Sequence, residues 1–235
     1  AMDSALGNLL NRDDKVLSLV VGNFGERWAK IAKSYGAEVD TITVPFGEAI
    51  SPDVLKARLA QDVGREIKIV TLTHNETSTG VTNPLKELVA IIKDHGALSV
   101  VDGITSVGAF DCKMDAWGID VLISGSQKGF MVPPGLAFLA ASDKAFEVHK
   151  KCEYPNFYFN WTQAKKAHAE DTTPFTPAVS LVIALDVALE MIIKEGLENV
   201  FARHRKNALM LREGVRKMGL KLFVEDESIA SHAIT

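Results

Sequence analysis

The amino-acid sequence predicts an α/β fold built on a mostly parallel, doubly wound sheet, with the beginning of a smaller C-terminal α/β domain. Short runs rich in β-branched residues alternate with segments of helical periodicity along most of the chain. These runs are apolar nearly throughout, which is typical of strands covered by helices on both faces. Glycine and proline stand at several junctions between the predicted strands and helices.

The first half of the chain is predicted to contain three strands, at residues 15–21, 38–44 and 67–73. A helix follows each strand. The first ends at Gly36, the second begins at Ser51-Pro52 and the third at Asn83-Pro84, because polar caps and proline favour a helix start and glycine a helix end. The apolar residues that recur at helical spacing in these helices are Phe24, Trp28, Ile31, Ala32, Tyr35, Leu55, Leu59, Leu85, Leu88, Val89 and Ile92.

The second half continues the alternation and then changes character. Strands are predicted at 97–101, 120–123 and 136–141, and two long helices at about 176–194 and 197–218. A last strand is predicted at 220–224. We therefore expect a large domain over residues 1–194 and the start of a second domain over residues 195–235.

Composition favours small-molecule chemistry. The net charge of −4 and the lack of a Lys/Arg run argue against a nucleic-acid or anionic-membrane partner. With only two cysteines, Cys112 and Cys152, the chain is typical of a reducing compartment, either the cytoplasm or an organelle with a reducing interior. The most apolar stretch, 178–193, is interrupted by Asp186 and Glu190, so we predict no transmembrane segment.

Two charged residues follow predicted strands, at the edge where open α/β sheets bind ligands. Asp102 ends the run 97–101, where a carboxylate needs a partner, although a turn residue before Gly103 is the simpler interpretation of it alone. Lys128 follows the run 120–123 and precedes a Pro-Pro-Gly turn. Partial burial there would favour the neutral amine, whereas most lysines are exposed and carry no chemistry.

Two further segments follow strands. Residues 74–80 carry hydroxyl and amide groups, a composition that is also typical of a solvated turn. Residues 22–25 form a Gly-x-x-Gly that could approach a phosphate, but the dinucleotide fingerprint is incomplete. A nucleotide-binding oxidoreductase is therefore a weak alternative, and Phe24 is equally well explained as a core aromatic.

Together these four places resemble the class V aminotransferases, fold type I pyridoxal-phosphate enzymes, and within them the serine-pyruvate and alanine-glyoxylate group. The most specific part is Ser-Gly-Ser-Gln-Lys at 124–128, followed by Pro-Pro-Gly and preceded by Asp102. Residues 74–80 and 22–27 match two further motifs of the family, and the likeness spans nearly the whole chain. The resemblance implies amino transfer between serine or alanine and glyoxylate or pyruvate, in a homodimer.

Carried over position by position, the resemblance implies a set of cofactor contacts. Lys128 would be the Schiff-base lysine and Asp102 the partner of the pyridine nitrogen. Phe24 would stack on the ring, and Thr77 would hydrogen-bond near the ring hydroxyl. The residues expected near the phosphate are Gln127 and, across the subunit interface, either Thr173 or Thr176, of which Thr176 is also a good helix start.

Two parts of the family pattern have no counterpart in the 235 residues. One is a Gly/Ser-rich phosphate loop just upstream of the segment resembling residues 1–10, and the other is a carboxylate-binding arginine in the C-terminal domain. We therefore expect the chain to be part of a longer protein. Alternatives are a desulfurase or lyase, disfavoured because neither cysteine lies in a matched motif, and a non-catalytic subunit, disfavoured by Lys128 and Asp102. No metal site is predicted, because His149 and Cys152 alone do not make one.

Overall fold

A computed structural model describes residues 1–235, and its centre is a six-stranded sheet. The strands are β1 (Lys15–Val20), β2 (Glu38–Thr43), β3 (Ile67–Thr73), β4 (Asn75–Glu76), β5 (Val81–Thr82), β6 (Leu98–Asp102), β7 (Val121–Gly125) and β8 (Ala137–Ala141). The large sheet has the order β2-β1-β3-β6-β7-β8, and only β8 runs antiparallel to its neighbour. The predicted mostly parallel sheet is confirmed.

Nine helices accompany the strands. They are α1 (Met2–Gly7), α2 (Asn23–Ser34), α3 (Pro52–Ala60), α4 (Leu85–His95), α5 (Met114–Trp117), α6 (Asp143–His149), α7 (Trp161–Ala169), α8 (Val179–Glu195) and α9 (Leu197–Lys217). The sequence pattern gave no prediction for α6 and α7, although both carry a side-chain cap: Ser142 accepts from the amide of Ala145, and Asn160 from that of Gln163.

Two apolar cores lie on opposite faces of the sheet. One contains Leu17, Val70 and Val101 together with the buried faces of α3 and α4. The other contains Ile69 and Val100 together with residues of α1 and α2. Successive residues of β3 and β6 thus point to opposite faces, each covered by helices, so the sheet is doubly wound as predicted.

The C-terminal part departs from two predictions. The helix predicted from Thr176 begins at Val179, with Ala178 at its N-cap, so Thr176 does not cap it. The strand predicted at 220–224 does not form: Leu220 and Phe223 are exposed, and no strand lies alongside to pair with the backbone. A run of apolar residues predicts a strand only where a partner is within reach, because the backbone groups of a lone strand stay unpaired.

The end of the chain packs instead on the small sheet of β4 and β5. Thr82 donates its amide to the carbonyl of Ile229, and Ser231 donates to that of Gly80. Arg212 of α9 is buried and ion-paired with Glu227 at 2.7 Å. This segment therefore closes over the carboxyl edge of the sheet. None of the helices is both long enough and apolar enough to cross a bilayer.

Candidate active site

Four adjacent strands of the sheet deliver the main predicted site residues to one edge. The strands β1, β3, β6 and β7 are parallel neighbours, so their carboxyl ends lie side by side. Phe24 follows β1, Thr77 follows β3, Asp102 is the last residue of β6, and Lys128 lies three residues beyond β7. The chain order reverses between β1 and β3, which is the position where open α/β sheets form a ligand crevice.

Asp102 is a buried carboxylate with one oxygen left free. Its side chain is 3% exposed, and one oxygen accepts a hydrogen bond from the amide of Ile104 at 2.8 Å, while the other accepts none from the chain. Burial raises the pKa of Asp102 to about 6, the Ile104 hydrogen bond and Arg27 lower it, and the charge of Glu76 adds to the rise. Such a group is suited to a cationic partner, which would relieve its desolvation.

Lys128 is exposed, so the expected partial burial of its amine is wrong. The loop that carries Lys128 is held by Ser126, whose hydroxyl donates to the carbonyl of Pro133. Lys128 itself lines a cavity of about 280 Å³. Arg203 and His204 of α9 also line this cavity. The chain becomes exposed only after Ser126, which is itself buried, and a pattern of apolar residues does not reveal where that exposure begins.

A polar network links Thr77 to the cavity of Lys128. The hydroxyl of Thr105 donates to the carbonyl of Asn75 and accepts from its side-chain amide, both at 2.8 Å. The Thr77 hydroxyl lies 3.4 Å from that of Thr105, and Thr105 also lines the cavity. The loop after β3 and the loop after β6 are therefore tied together beside Lys128.

Glu76 is a site residue that the sequence analysis did not single out. It is fully buried, and one of its oxygens accepts hydrogen bonds from the amides of Phe24 and Gly25, each at 3.1 Å. Its other oxygen accepts from the amide and hydroxyl of Ser78. The N-terminus of α2 is thus satisfied by the protein's own carboxylate, and the Gly-x-x-Gly segment is not free for a nucleotide phosphate.

Phe24 is half-buried at the start of α2, with the Arg27 guanidinium 4.6 Å from its ring centroid. Gln127 is exposed beside Lys128. Thr173 and Thr176 lie elsewhere, in a separate groove of about 750 Å³, where the Thr173 hydroxyl donates to the carbonyl of Phe175. Within one chain, the structure therefore groups Phe24, Thr77, Asp102 and Lys128 at one edge and leaves the two threonines apart.

His74 beside the site and the two cysteines have shifted pKa values, and Cys152 lies away from the site, against Gly7 and Leu10. His74, directly after β3, is buried against Phe110 with its Nδ1 unpartnered, and burial lowers its pKa to about 4. Burial raises the pKa of Cys112 to about 11 and also raises that of Cys152. Neither thiol has the lowered pKa of an activated nucleophile.

The fold agrees with the family comparison. The model of the aminotransferase class-V family matches residues 1–234. The chain belongs to this family, and the resemblance drawn from its motifs is confirmed.

Several known proteins are similar over nearly the whole chain. The soluble hydrogenase 42 kDa subunit of Anabaena cylindrica is 44% identical, over 100% of this chain and 61% of that protein. The serine–glyoxylate aminotransferase of Arabidopsis thaliana is 37% identical, over 100% and 59%. The crystal structure of alanine–glyoxylate aminotransferase from Nostoc sp. superposes with a TM-score of 0.92 at 35% identity, over 98% and 61%. The chain spans about 60% of the length of these relatives.

Proposed function

We propose that the protein is a pyridoxal-phosphate-dependent aminotransferase that moves an amino group from a small amino acid, serine or alanine, to a small 2-oxo acid, glyoxylate or pyruvate, in two half-reactions. The observation that carries the proposal is Asp102: a buried carboxylate with a free oxygen at the carboxyl edge, one strand away from Lys128. Membership of the aminotransferase class-V family supports it.

The residues present fit the cofactor. Asp102 would bind the protonated ring nitrogen, because no cation is ion-paired with its carboxylate and burial raises its pKa to about 6. Phe24 would pack on the flat face of the ring, Thr77 would hydrogen-bond near the ring hydroxyl, and Gln127 would lie by the phosphate. When bound, pyridoxal phosphate supplies an electron sink that makes the substrate's α-hydrogen acidic.

Lys128 has two tasks in this proposal. Its ε-amino group would first hold the aldehyde carbon of the cofactor. Once released by the incoming amino acid, the free amine would take the proton from the substrate's α-carbon as general base and give it to the cofactor's former aldehyde carbon as general acid, so that hydrolysis can release the keto acid. Exposure of Lys128 to the cavity leaves the amine room for both positions.

The choice of substrates draws on the names of relatives. One relative is an L-aspartate–glyoxylate aminotransferase of Paracoccus denitrificans, another a serine–glyoxylate aminotransferase, and a third a pyridoxamine–pyruvate transaminase of Mesorhizobium japonicum. Their donors differ, whereas their acceptors are all oxo acids of two or three carbons. The acceptor is therefore the better-supported half of the proposal.

We also propose a homodimer and a two-domain arrangement. Thr173 and Thr176 line a groove separate from Lys128, so a phosphate contact from either would have to be made in a neighbouring subunit. Residues 1–194 would form the cofactor-binding domain and 195–235 the beginning of a smaller one.

The test is spectroscopic and uses the complete gene product. With pyridoxal phosphate, the protein should show the visible absorption band of a lysine-bound cofactor, and borohydride should bleach it. Lys128→Ala should abolish the band, whereas Lys166→Ala, at an exposed lysine of α7, should retain it. A band that survives Lys128→Ala would refute the assignment of Lys128.

Turnover separates amino transfer from the rival functions. Serine, alanine and aspartate are tested as donors with glyoxylate and pyruvate as acceptors. A non-catalytic subunit, the alternative suggested by the hydrogenase relative's name, would transfer no amino group from any of them. A desulfurase would release sulfide from cysteine, which the raised pKa of both thiols disfavours.

A further inference from the structure

We propose that Glu76 is a positioning residue that fixes Phe24 against the cofactor ring by holding the first turn of α2. The inference rests on the proposed function, because it concerns how the ring site of that function is built. It assigns a role to a buried acid that touches neither Asp102 nor Lys128 through any hydrogen bond.

The contacts of Glu76 are made entirely within the protein. Four donors surround its carboxylate: the amides of Phe24, Gly25 and Ser78, each at 3.1 Å, and the Ser78 hydroxyl at 2.6 Å. A carboxylate with both oxygens doubly hydrogen-bonded and no exposure to solvent has no free site for a ligand. Glu76 therefore acts through the groups it holds, and among these only Phe24 carries an aromatic side chain.

The surrounding chain is shaped to admit this carboxylate. A Cβ at Gly22 would lie 2.5 Å from Glu76 Cγ and 2.5 Å from the Ser78 hydroxyl, so only glycine fits there. The hydroxyl of Ser78 also accepts the amide hydrogen bond of Asn23 at 3.0 Å. Three successive amides at the start of α2 are thus held by two side chains from the loop after β3.

This arrangement bridges the crevice between β1 and β3. Without Glu76, the first turn of α2 would present free N–H groups and a partial positive charge, which attract anions such as a phosphate. With Glu76 in place, that charge is neutralised, and Phe24 is locked beside the loop that carries Thr77. The crevice is thereby reserved for the flat ring of the cofactor.

A double-mutant cycle on cofactor binding tests this role. Glu76→Gln keeps the shape of the side chain and weakens the bonds to the α2 amides, so we expect the dissociation constant for pyridoxal phosphate to rise about 10-fold. Phe24→Leu should have a similar effect. The double variant should bind about as weakly as either single variant, because both changes act on the same contact.

Two further measurements separate positioning from general destabilisation. The visible circular dichroism per bound cofactor reports the orientation of the ring, and it should change in Glu76→Gln and stay unchanged in Glu87→Gln, at an exposed glutamate of α4. If Glu76→Gln does not fold, Ser78→Ala replaces it in the cycle. We expect Ser78→Ala to raise the dissociation constant for pyridoxal phosphate about 3-fold in the otherwise wild-type protein and to leave it unchanged in the Phe24→Leu background.

Each outcome decides a different claim. If the wild-type protein binds no pyridoxal phosphate, both the proposed function and the role of Glu76 are overturned. Suppose instead that the wild type binds pyridoxal phosphate. If Glu76→Gln then binds it equally well, or if the dissociation constant of the double variant rises about 100-fold, only the role of Glu76 is wrong.

Discussion

The backbone of Gly129 lies directly against the backbone of Val107. A Cβ at Gly129 would stand 2.5 Å from the carbonyl oxygen of Val107 and about 3.1 Å from atoms of Gly108. This contact packs the loop that carries Lys128 onto the loop that follows Asp102. The separation of the two charged side chains is therefore set by main-chain packing.

Gly129→Ala should push these two loops apart. We expect the free energy of unfolding to fall by about 1–3 kcal/mol and cofactor binding to weaken, because an added methyl group must displace backbone. Gly214→Ala is the matched control: it lies within α9 with no atom within 4 Å, so alanine there should be neutral or stabilising by up to about 1 kcal/mol. Urea unfolding of both variants measures the difference, and equal effects would contradict the close packing.

Asp102 should make the cofactor-free protein less stable as the pH rises. Its pKa is about 6 in the folded chain against an ordinary value of 3.8, so the folded state binds more protons between these values. The stabilising contribution of the protonated Asp102 carboxyl is complete below pH 4 and is lost as the pH rises through 6. The free energy of unfolding should therefore fall by up to about 3 kcal/mol. Asp102→Asn should remove this loss, whereas Asp94→Asn, at an exposed site, should not. Urea unfolding between pH 4 and 7 tests it.

His74 should act in the opposite direction. Burial lowers its pKa from 6.5 to about 4, so its contribution to stability is present above pH 6.5 and is lost as the pH falls through 4. In His74→Gln, the pH dependence of unfolding should be shallower on the acid side than in the wild type. His168→Gln, at an exposed histidine of α7, serves as control. An unchanged acid slope in His74→Gln would show that His74 is protonated without cost.

The two cysteines should be dispensable for catalysis. Because burial raises the pKa of both thiols, very little thiolate is present near neutral pH, and alkylation should be slow. We expect Cys112→Ala and Cys152→Ala each to retain amino transfer within about 2-fold, a change of under 1 kcal/mol. Loss of activity in either variant, together with sulfide release from cysteine by the wild type, would point to the desulfurase alternative instead.

The strand ends that carry the site residues could be predicted from the sequence, because the end of a strand is marked by the residues next to it. The run 67–73 is β3 as predicted, and Asp102 stands at the end of β6, where a polar residue after an apolar run indicated it. The resemblance brought the four strand-end positions together, and the order of the strands in the sheet then placed them side by side.

Long-range relationships were the part that the sequence did not reveal. Glu76 stood among hydroxyl and amide side chains typical of a turn, and nothing local indicated that it reaches the start of α2. An acid three residues beyond the end of a buried strand was the only available signal. The exposure of Lys128 and the irregular segment 220–224 likewise depend on neighbours that are distant in sequence.

The buried carboxylate of Glu76 also affects how quickly the protein can bind its proposed cofactor. The loops after β1 and β3 are already joined by hydrogen bonds within the chain. Their conformational entropy is therefore lost during folding and not when a ligand binds. A preorganised receptor of this kind captures its ligand by simple encounter, at a rate governed by diffusion and orientation, with no slow ordering step in between.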